Sequence, residues 1–181
     1  MFLSLIEKRR STRKFLNQPV ETEKIEALIE ATLRSPSSMG KNPWQFIVVT
    51  DTQQLDKIAT VKKFGSVFVK NAPLAFVVCA DEKTSDVWVE DASIAAIFLH
   101  LAAESMELGS CWIQIRNRMH SDSQTSQDYL SDLLKIPENL KVLAMVAIGY
   151  PDEKKAPHAK AELQWDKVHL DTYGVPFKYS Q

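Results

Sequence analysis

The chain of 181 residues is poor in cysteine, glycine and long apolar runs. Its two cysteines, Cys79 and Cys111, lie in apolar surroundings without metal-ligand spacing, which is typical of a reduced, cytoplasmic protein. The five glycines form no glycine-rich turn of the dinucleotide-binding type, so the Rossmann fingerprint is absent. The most apolar segment, Ile94 to Ala103, is interrupted by His100 and is too short to cross a bilayer.

The chain also lacks a charge excess of either sign, which argues against a dedicated nucleic-acid binder. Lys and Arg total 22 against 23 Asp and Glu, whereas a nucleic-acid-binding domain normally carries a basic excess. The composition, 45% hydrophobic and 25% charged, is typical of a soluble globular protein. We therefore expect one domain over residues 1–181, with neither nucleic acid nor a membrane as its partner.

Catalysis by side chains alone has little support in the sequence. The four histidines share no metal-ligand spacing with one another or with cysteine, and the sequence has neither a nucleophile elbow nor a P-loop. His100 falls within a predicted buried helix and is expected to be a core residue. Asp91 and Glu104 on the same helix either face a site or serve capping and subunit pairing.

The spacing of apolar residues predicts alternating helices and strands. Helices are predicted over residues 2–9, 22–35, 51–61, 86–108 and 125–134, and strands over 44–50, 75–80, 110–115 and 142–149. Thr22 is the expected N-cap of the second helix, and Gly109 is expected to end the long fourth helix, which should be mostly buried. The polar stretch after Pro151 either reaches a partner subunit or is disordered.

The most informative segment is a basic cluster near the N-terminus, Lys8-Arg9-Arg10-Ser11-Thr12-Arg13-Lys14, in which five cations and two hydroxyls occupy seven positions. Arg9, Ser11 and Arg13 alternate, so in extended backbone their side chains point to one side. The cluster is either a solvated turn or a grip for a phosphate or an electron-rich ring.

A second polar segment lies between prolines at residues 36–43. Ser37, Ser38 and Asn42 supply two hydroxyls and an amide in this turn, which suits the polar edge of a bound molecule. Trp44 and Trp112, each at the rim of a predicted strand, either shelter a flat ring or fill the core. Together with the basic cluster, this loop favours chemistry that depends on a cofactor.

Four motifs resemble, in order and spacing, those of the FMN-dependent nitroreductase family. They are Arg9-Arg10-Ser11-Thr12-Arg13-Lys14-Phe15, Ser35-Pro36-Ser37-Ser38-Met39-Gly40-Lys41-Asn42-Pro43-Trp44-Gln45-Phe46, Leu108-Gly109-Ser110-Cys111-Trp112-Ile113 and Ala147-Ile148-Gly149-Tyr150-Pro151. Each string is short, but the four together span nearly the whole chain.

The resemblance implies an α+β fold with a mixed β-sheet flanked by helices, assembled as an intertwined homodimer with FMN at its interface. It also implies an oxidoreductase that takes hydride from NADH or NADPH and reduces a small electron-poor acceptor, such as a nitroaromatic or a quinone, by a ping-pong mechanism. One alternative keeps the fold and changes the flavin reaction, to reductive dehalogenation or cofactor synthesis. The other alternative is a non-enzymatic module that binds anions through the basic cluster.

By the same resemblance, the flavin site is built from four stretches of the chain and contains no metal. The phosphate, ribityl chain and pyrimidine edge would be bound by Arg9, Arg10, Ser11 and Arg13. Contacts from the partner subunit would come from Pro36, Ser37, Ser38 and Asn42. Backbone amides near the reactive nitrogen of the ring would come from Gln114, Ile115 and Arg116, and the phosphate site would be completed by Lys154 and Lys155.

Arg13 is expected to tune the flavin rather than to react. A fixed arginine beside the pyrimidine edge stabilises the negative charge that develops on reduction. No side chain is therefore expected to be catalytic by itself, which agrees with the absence of a side-chain triad in the sequence.

Overall fold

A computed structural model describes residues 2–178 of the chain. These residues form five α-helices and four β-strands. The helices are α1 (Phe2–Lys8), α2 (Thr22–Leu33), α3 (Thr52–Ile58), α4 (Trp88–Ser105) and α5 (Ser126–Leu134). The strands are β1 (Trp44–Val49), β2 (Leu74–Asp81), β3 (Gly109–Gln114) and β4 (Leu140–Gly149).

The four strands form one sheet in the order β1-β2-β4-β3, in which each neighbouring pair is antiparallel. A parallel bridge between Ser11 and Ser110 adds the segment after α1 to the β3 edge. The four strands themselves are antiparallel, and the parallel bridge adds a single residue pair at the edge. Helices pack on both faces of the sheet, which confirms the predicted α+β fold.

The two central strands, β2 and β4, are buried on both faces, which explains why their sequences are almost uninterruptedly apolar. On one face, Val77 of β2 belongs to a core that includes Leu55 of α3 and Leu130 of α5. On the other face, Phe76 of β2 belongs to a second core shared with α2 and α4, to which α4 contributes Leu99. The sheet thus separates two hydrophobic layers.

All nine predicted helices and strands form, but two predictions about helix ends are wrong. Thr22 is the first residue of α2 and not its N-cap, a position taken by Glu21, whose side chain makes no capping hydrogen bond. Helix α4 ends at Ser105 rather than at Gly109. Glu107 adopts a left-handed φ of 63° between the helix and β3, and Gly109 is the first residue of the strand.

The prediction that α4 is mostly buried holds for only one of its faces. Ala92, Ala96 and Leu99 are fully buried against the sheet and α2. Ile97 and Phe98, on the other side of the helix, remain 44% and 37% exposed in the single chain. An apolar stripe of α4 is therefore left uncovered.

Both cysteines are free and buried, as expected. Burial raises the pKa of the Cys79 thiol to about 12, so this group stays protonated at neutral pH. Within residues 2–178, no helix combines the length and the apolar character needed to cross a membrane.

Candidate functional site

The basic cluster adopts an extended conformation over residues 9–14, which we call the N-terminal strap. The strap lies beside the start of β3, where the Thr12 amide donates to the Ser110 carbonyl at 2.9 Å. The chain then crosses to the end of β4, where the Leu16 amide donates to the Tyr150 carbonyl at 2.9 Å. Three of the four sequence motifs therefore meet at one corner of the sheet.

Side chains of the strap differ in burial. Thr12 is buried against Gly109, whereas Arg9 is half-buried and Arg13 is exposed. The Arg13 guanidinium lies 5.9 Å from the centroid of the Phe68 ring. Among the described residues, neither Arg9 nor Arg13 forms an ion pair with a carboxylate. No direct ion pair therefore neutralises either guanidinium within residues 2–178, although the charge of Arg9 acts on the Glu104 carboxyl of α4.

Arg10 points away from these two arginines. Its Nη1 donates to the backbone carbonyl of Ala156, and its side chain lines a surface cavity of about 620 Å³ together with Thr12, Lys154 and Lys155. Lys154 is exposed at this cavity. A phosphate bound by Arg10 and Lys154, as predicted, would therefore lie in this cavity, on the side of the strap where Thr12 is located.

Hydrogen bonds of Glu153 and Lys155 attach the strap to the segment that follows β4, and we call this pair of residues the clip. Glu153 Oε1 accepts from the backbone amides of Arg13 at 2.6 Å and Lys14 at 3.3 Å. Lys155 Nζ donates to the Ser11 carbonyl at 2.6 Å and to Glu153 Oε1 at 3.0 Å. Two of the three ammonium hydrogens of Lys155 are therefore used within the chain, so the geometry gives it a structural task besides the predicted phosphate contact.

The Glu153 clip makes a pH-dependent contribution to stability. The Arg13 amide, with further help from Lys155 and the Lys14 amide, holds the pKa of the Glu153 carboxyl below its usual value of 4.5. A carboxylate with a lowered pKa in the folded state contributes stability that is complete above the unfolded pKa and is lost as the pH falls through the folded pKa. We expect Glu153→Gln to lower the melting temperature most at neutral pH, with the difference from wild type closing below about pH 4.5.

The measurement is thermal unfolding of both proteins followed by circular dichroism from pH 7 to pH 3. Asp152→Asn is the matched control, because Asp152 is exposed and its side chain makes no hydrogen bond or ion pair within residues 2–178, while its backbone amide donates to the Lys14 carbonyl at 2.9 Å. A difference between Glu153→Gln and wild type that stays constant or grows toward acid pH would contradict the clip.

The second predicted segment is a closed loop before β1. Ser37 Oγ donates to Asn42 Oδ1 at 2.8 Å and accepts from the Asn42 amide at 2.8 Å. The Ser38 amide donates to Asp91 Oδ1 of α4 at 2.7 Å, and Pro36 is exposed at the start of the loop. The structure therefore brings these four predicted residues together, although away from the strap.

The third predicted segment begins at Gln114, the last residue of β3, and continues into the chain after it. The amides of Ile115 and Arg116 both donate to the Leu143 carbonyl, at 3.2 and 3.0 Å, so their contact with a bound ring would have to share these hydrogens with this acceptor and stays a prediction. The Ile115 side chain is fully buried in the core. Gln114 Nε2 donates to the Arg116 carbonyl at 2.9 Å, and the Arg116 guanidinium lies 5.8 Å from the Trp88 ring centroid.

The register of the sheet places the strap and the Pro36 loop at diagonally opposite corners. Trp44, which follows the loop, pairs with Ala80, and Ala80 pairs with Lys141 of β4. Ser110, which holds the strap, pairs with Ile148 near the other end of β4. At the usual spacings these corners are roughly 24 Å apart along the strands and about 14 Å apart across them. One chain therefore does not bring the two parts together.

The helix beneath the strap carries two titratable groups with opposite shifts. His100, buried as predicted, has Nδ1 at 2.7 Å from Ser110 Oγ, and burial, assisted by the charge of Arg9, lowers its pKa to about 4. The imidazole is therefore neutral at pH 7. Burial raises the pKa of Glu104, although Arg9 and Lys8 oppose this shift.

Lys62 is a neighbour of the site that the sequence does not single out. Its Nζ donates to the Gln114 carbonyl at 3.3 Å, and burial, followed by the charge of Arg118, lowers its pKa. Lys62 lies in an irregular segment after α3, where a lysine carries no spacing signal. Only the folded chain shows that it adjoins the end of β3.

The two tryptophans take different positions. Trp44 is buried and stacks at a tilt on Phe46, with ring centroids 5.4 Å apart, which favours core filling. Its Nε1 is buried and has no hydrogen-bond partner among the residues that the structure describes. Trp112 is half-buried, and its Nε1 donates to Gln114 Oε1 at 3.0 Å, beside the third predicted segment.

The strap corner offers donors that suit FMN. Arg9 and Arg13 provide permanently charged donors that form no direct ion pair within the described part of the chain, and Ser11 provides a hydroxyl between them. Phosphate and the carbonyl oxygens of a pyrimidine are the acceptors that such donors prefer. The residues present therefore fit the group. Within residues 2–178, no cluster of three or more His, Cys, Asp or Glu side chains is placed to hold a metal ion.

The chain matches the model of the "Nitroreductase family" over residues 6–63 and 60–150. It is 36% identical over 176 residues to a putative NADH dehydrogenase/NAD(P)H nitroreductase of Archaeoglobus fulgidus, covering 94% of this chain and 98% of the relative. Its structure resembles that of an FMN-dependent nitroreductase from Clostridium difficile R20291, with a TM-score of 0.93, 43% identity and coverage of 94% and 99%.

A more distant relative has a different reaction. The chain is 24% identical over 189 residues to an iodotyrosine deiodinase of Thermotoga neapolitana, covering 90% of this chain and 95% of that protein.

Proposed function

The chain belongs to the nitroreductase family, and from this premise we propose that it is an FMN-dependent oxidoreductase that uses NADH or NADPH to reduce a small electron-poor acceptor. The observation that carries the proposal is the N-terminal strap, where Arg9 and Arg13 flank Ser11 and, among the described residues, form no direct ion pair with a carboxylate. Similarity to an FMN-dependent nitroreductase over 94% of the chain supports the choice of cofactor. The electron-poor acceptors that we propose for this chain are nitroaromatics and quinones.

Each part of the site has a proposed task. Arg9, Ser11 and Arg13 bind and orient the cofactor, and Arg13 stabilises negative charge at the pyrimidine edge. FMN supplies the redox chemistry when bound, taking hydride from the nicotinamide and passing electrons to the acceptor in a ping-pong cycle. The clip formed by Glu153 and Lys155 fixes the strap backbone, so the two guanidiniums need little reorganisation when the cofactor binds.

The test is spectroscopic. The purified protein, reconstituted with FMN, should be yellow with flavin absorbance, and anaerobic addition of NADH or NADPH should bleach this colour. Subsequent addition of a nitroaromatic or a quinone should restore it, because donor and acceptor act in separate half-reactions. A protein that cannot be reconstituted with FMN, or whose flavin neither donor bleaches, would refute the proposed function.

We also propose that the active form is a homodimer in which each flavin contacts both chains. The strap and the Pro36 loop lie at opposite corners of one sheet, so a second copy is needed to complete the site. The uncovered stripe of α4 at Ile97 and Phe98, with exposed Phe2, Leu3 and Ile6 of α1 nearby in the fold, offers an apolar surface for that copy. Sedimentation velocity of the FMN-loaded protein tests this proposal, and a single species near the 20.5 kDa of one chain would exclude it.

Reductive dehalogenation is the second candidate, favoured by the similarity to the iodotyrosine deiodinase. The connection from Asp81 at the end of β2 to Trp88 at the start of α4 is a short turn, which leaves little room for an inserted lid over the cofactor. The greater identity to the nitroreductases favours the first candidate. Acceptor assays with a halogenated phenol and a nitroaromatic, each in the presence of reduced protein, distinguish the two.

The non-enzymatic alternative is an anion-binding module that uses the basic cluster. Balanced overall charge and the relatives named above argue against it. Salt-sensitive binding of a polyanion by a protein without flavin would favour it.

A further inference from the structure

Asp91 is a buried carboxylate that the proposed chemistry leaves without a task. It lies on the first turn of α4 and is only 2% exposed. In the part of the chain that the structure describes, no Lys, Arg or His forms an ion pair with it. Burying a charge without a countercharge is costly unless strong hydrogen bonds compensate it.

Two hydrogen bonds supply this compensation, one to each carboxylate oxygen. The Ser38 backbone amide donates to Oδ1 at 2.7 Å, and the Ser85 hydroxyl donates to Oδ2 at 2.8 Å. Ser85 is itself 1% exposed, so it anchors the carboxylate from the interior. The positive end of the α4 dipole also stabilises a negative charge in the first turn. The carboxylate thus joins the protein interior to the backbone of the Pro36 loop.

The loop needs such an anchor because its own conformation is unfavourable. After Ser38, Met39 and Gly40 adopt φ angles of 53° and 66°, and Asn42 adopts 47°. Non-glycine residues reach this left-handed region only at a cost. The Ser37–Asn42 hydrogen bonds close the loop on itself but do not attach it to the rest of the protein.

We propose that Asp91 is a positioning residue for flavin binding, which acts through the Ser38 amide to present Ser37 and Ser38 to the cofactor held by the partner subunit. This inference rests on the proposed function. It assigns a buried side chain on α4, rather than any loop residue, as the group that fixes the loop in its binding conformation. Removal of the carboxylate leaves the Ser38 amide without its partner and the loop without its hydrogen bond to α4.

Three variants test the proposal in the reconstituted protein. Asp91→Ala should raise the FMN dissociation constant at least about tenfold, because an unpaired amide and a mobile loop both weaken binding. Asp91→Asn should restore most of the affinity, since its Oδ1 still accepts from Ser38. Ser85→Ala, which keeps the Ser38 bond but removes the inner anchor, should give an increase of about threefold.

Two measurements distinguish a positioning role of Asp91 from a general contribution of Asp91 to the stability of the fold. The FMN dissociation constant is measured by fluorescence titration, and loop protection is measured by hydrogen exchange of residues 36–43 in the protein without flavin. The proposal expects Asp91→Ala to accelerate exchange in this loop while the exchange of β2 stays as in wild type. A lowered melting temperature with unchanged FMN affinity and unchanged loop exchange would overturn it.

The matched control is Ser93→Ala on the same helix, where the hydroxyl donates only to the Val89 carbonyl at 2.7 Å. This variant should bind FMN as wild type does. If Asp91→Ala does not fold, Ser85→Ala provides the test. An FMN affinity of Ser85→Ala equal to that of wild type would then refute the positioning role of Asp91. Failure of wild type to bind FMN would instead refute the proposed function, while loop exchange in the flavin-free variants would still report on the tether.

Discussion

Replacement of Arg13 by alanine is expected to slow reduction of the bound flavin about 100-fold, the usual loss when one preorganised charged donor is removed. Arg13 is exposed at the strap and forms no ion pair with a carboxylate among the described residues, so its charge is free to act on a ligand. Its backbone amide is bonded to Glu153, which fixes the point on the strap from which the guanidinium reaches a ligand. Anaerobic stopped-flow absorbance with NADH or NADPH, at saturating FMN, measures the rate.

Lys14→Ala is the control for the general charge of the strap. Lys14 is exposed and lies next to Arg13 in the strap, but it is not one of the residues predicted to contact the flavin. Its loss should therefore change the rate of flavin reduction by less than about threefold. Arg13→Lys should lie between the two, because it keeps the charge and loses the planar fork of donors. An equal decrease in the rate of flavin reduction in Arg13→Ala and Lys14→Ala would show that only the total charge of the strap affects the rate, and not the position of Arg13.

Gly109→Ala is expected to damage both the fold and the cofactor site. A Cβ atom on Gly109 would lie 2.6–2.7 Å from three side-chain atoms of Thr12, closer than side chains approach one another. Thr12 is the buried residue of the strap and its amide is bonded to Ser110, so it cannot move without carrying the strap with it. Overpacking of this kind costs about 1–3 kcal/mol of unfolding free energy. Urea denaturation and FMN titration measure the two effects, and we expect FMN affinity to fall at least about tenfold.

The same substitution at Gly174 serves as the control. No atom would lie within 4 Å of its Cβ, and Gly174 sits in the exposed segment after β4 with a φ of 90°. Gly174→Ala should therefore strain only its own backbone and leave FMN affinity unchanged. Wild-type FMN affinity in Gly109→Ala would mean that strap position does not govern binding.

The elements that carry a strong local pattern could be predicted from the sequence. β2 forms where apolar and β-branched residues run from Leu74 to Ala80, and α4 forms where alanine and leucine repeat at helical spacing. The basic cluster could also be recognised from its composition, whereas the placement of Arg9 and Arg13 on one side of extended backbone stays a prediction. Such patterns depend on neighbouring residues only.

What could not be predicted depends on contacts between residues far apart in the chain. Lys155 is basic and follows the last strand, which suggests a phosphate ligand, but its bond to Ser11 is visible only after folding. Asp91 looks like a helix-capping acid in the sequence, and its bond to Ser38 spans 53 positions. Gly109 follows an apolar helix as a terminator would, yet Glu107 makes the turn and glycine is required by the approach of Thr12.

The clip between the strap and the chain after β4 has a consequence for the order in which the protein is made. Arg13 is joined to Glu153 across 140 positions, and Ser11 to Lys155 across 144. During synthesis, the strap emerges first and must wait until most of the chain has left the ribosome before its partners exist. Contacts of such long range form late, because the chain between them must be ordered first. The cofactor site is therefore assembled at the end of folding, and FMN has no strap to bind on an unfinished chain.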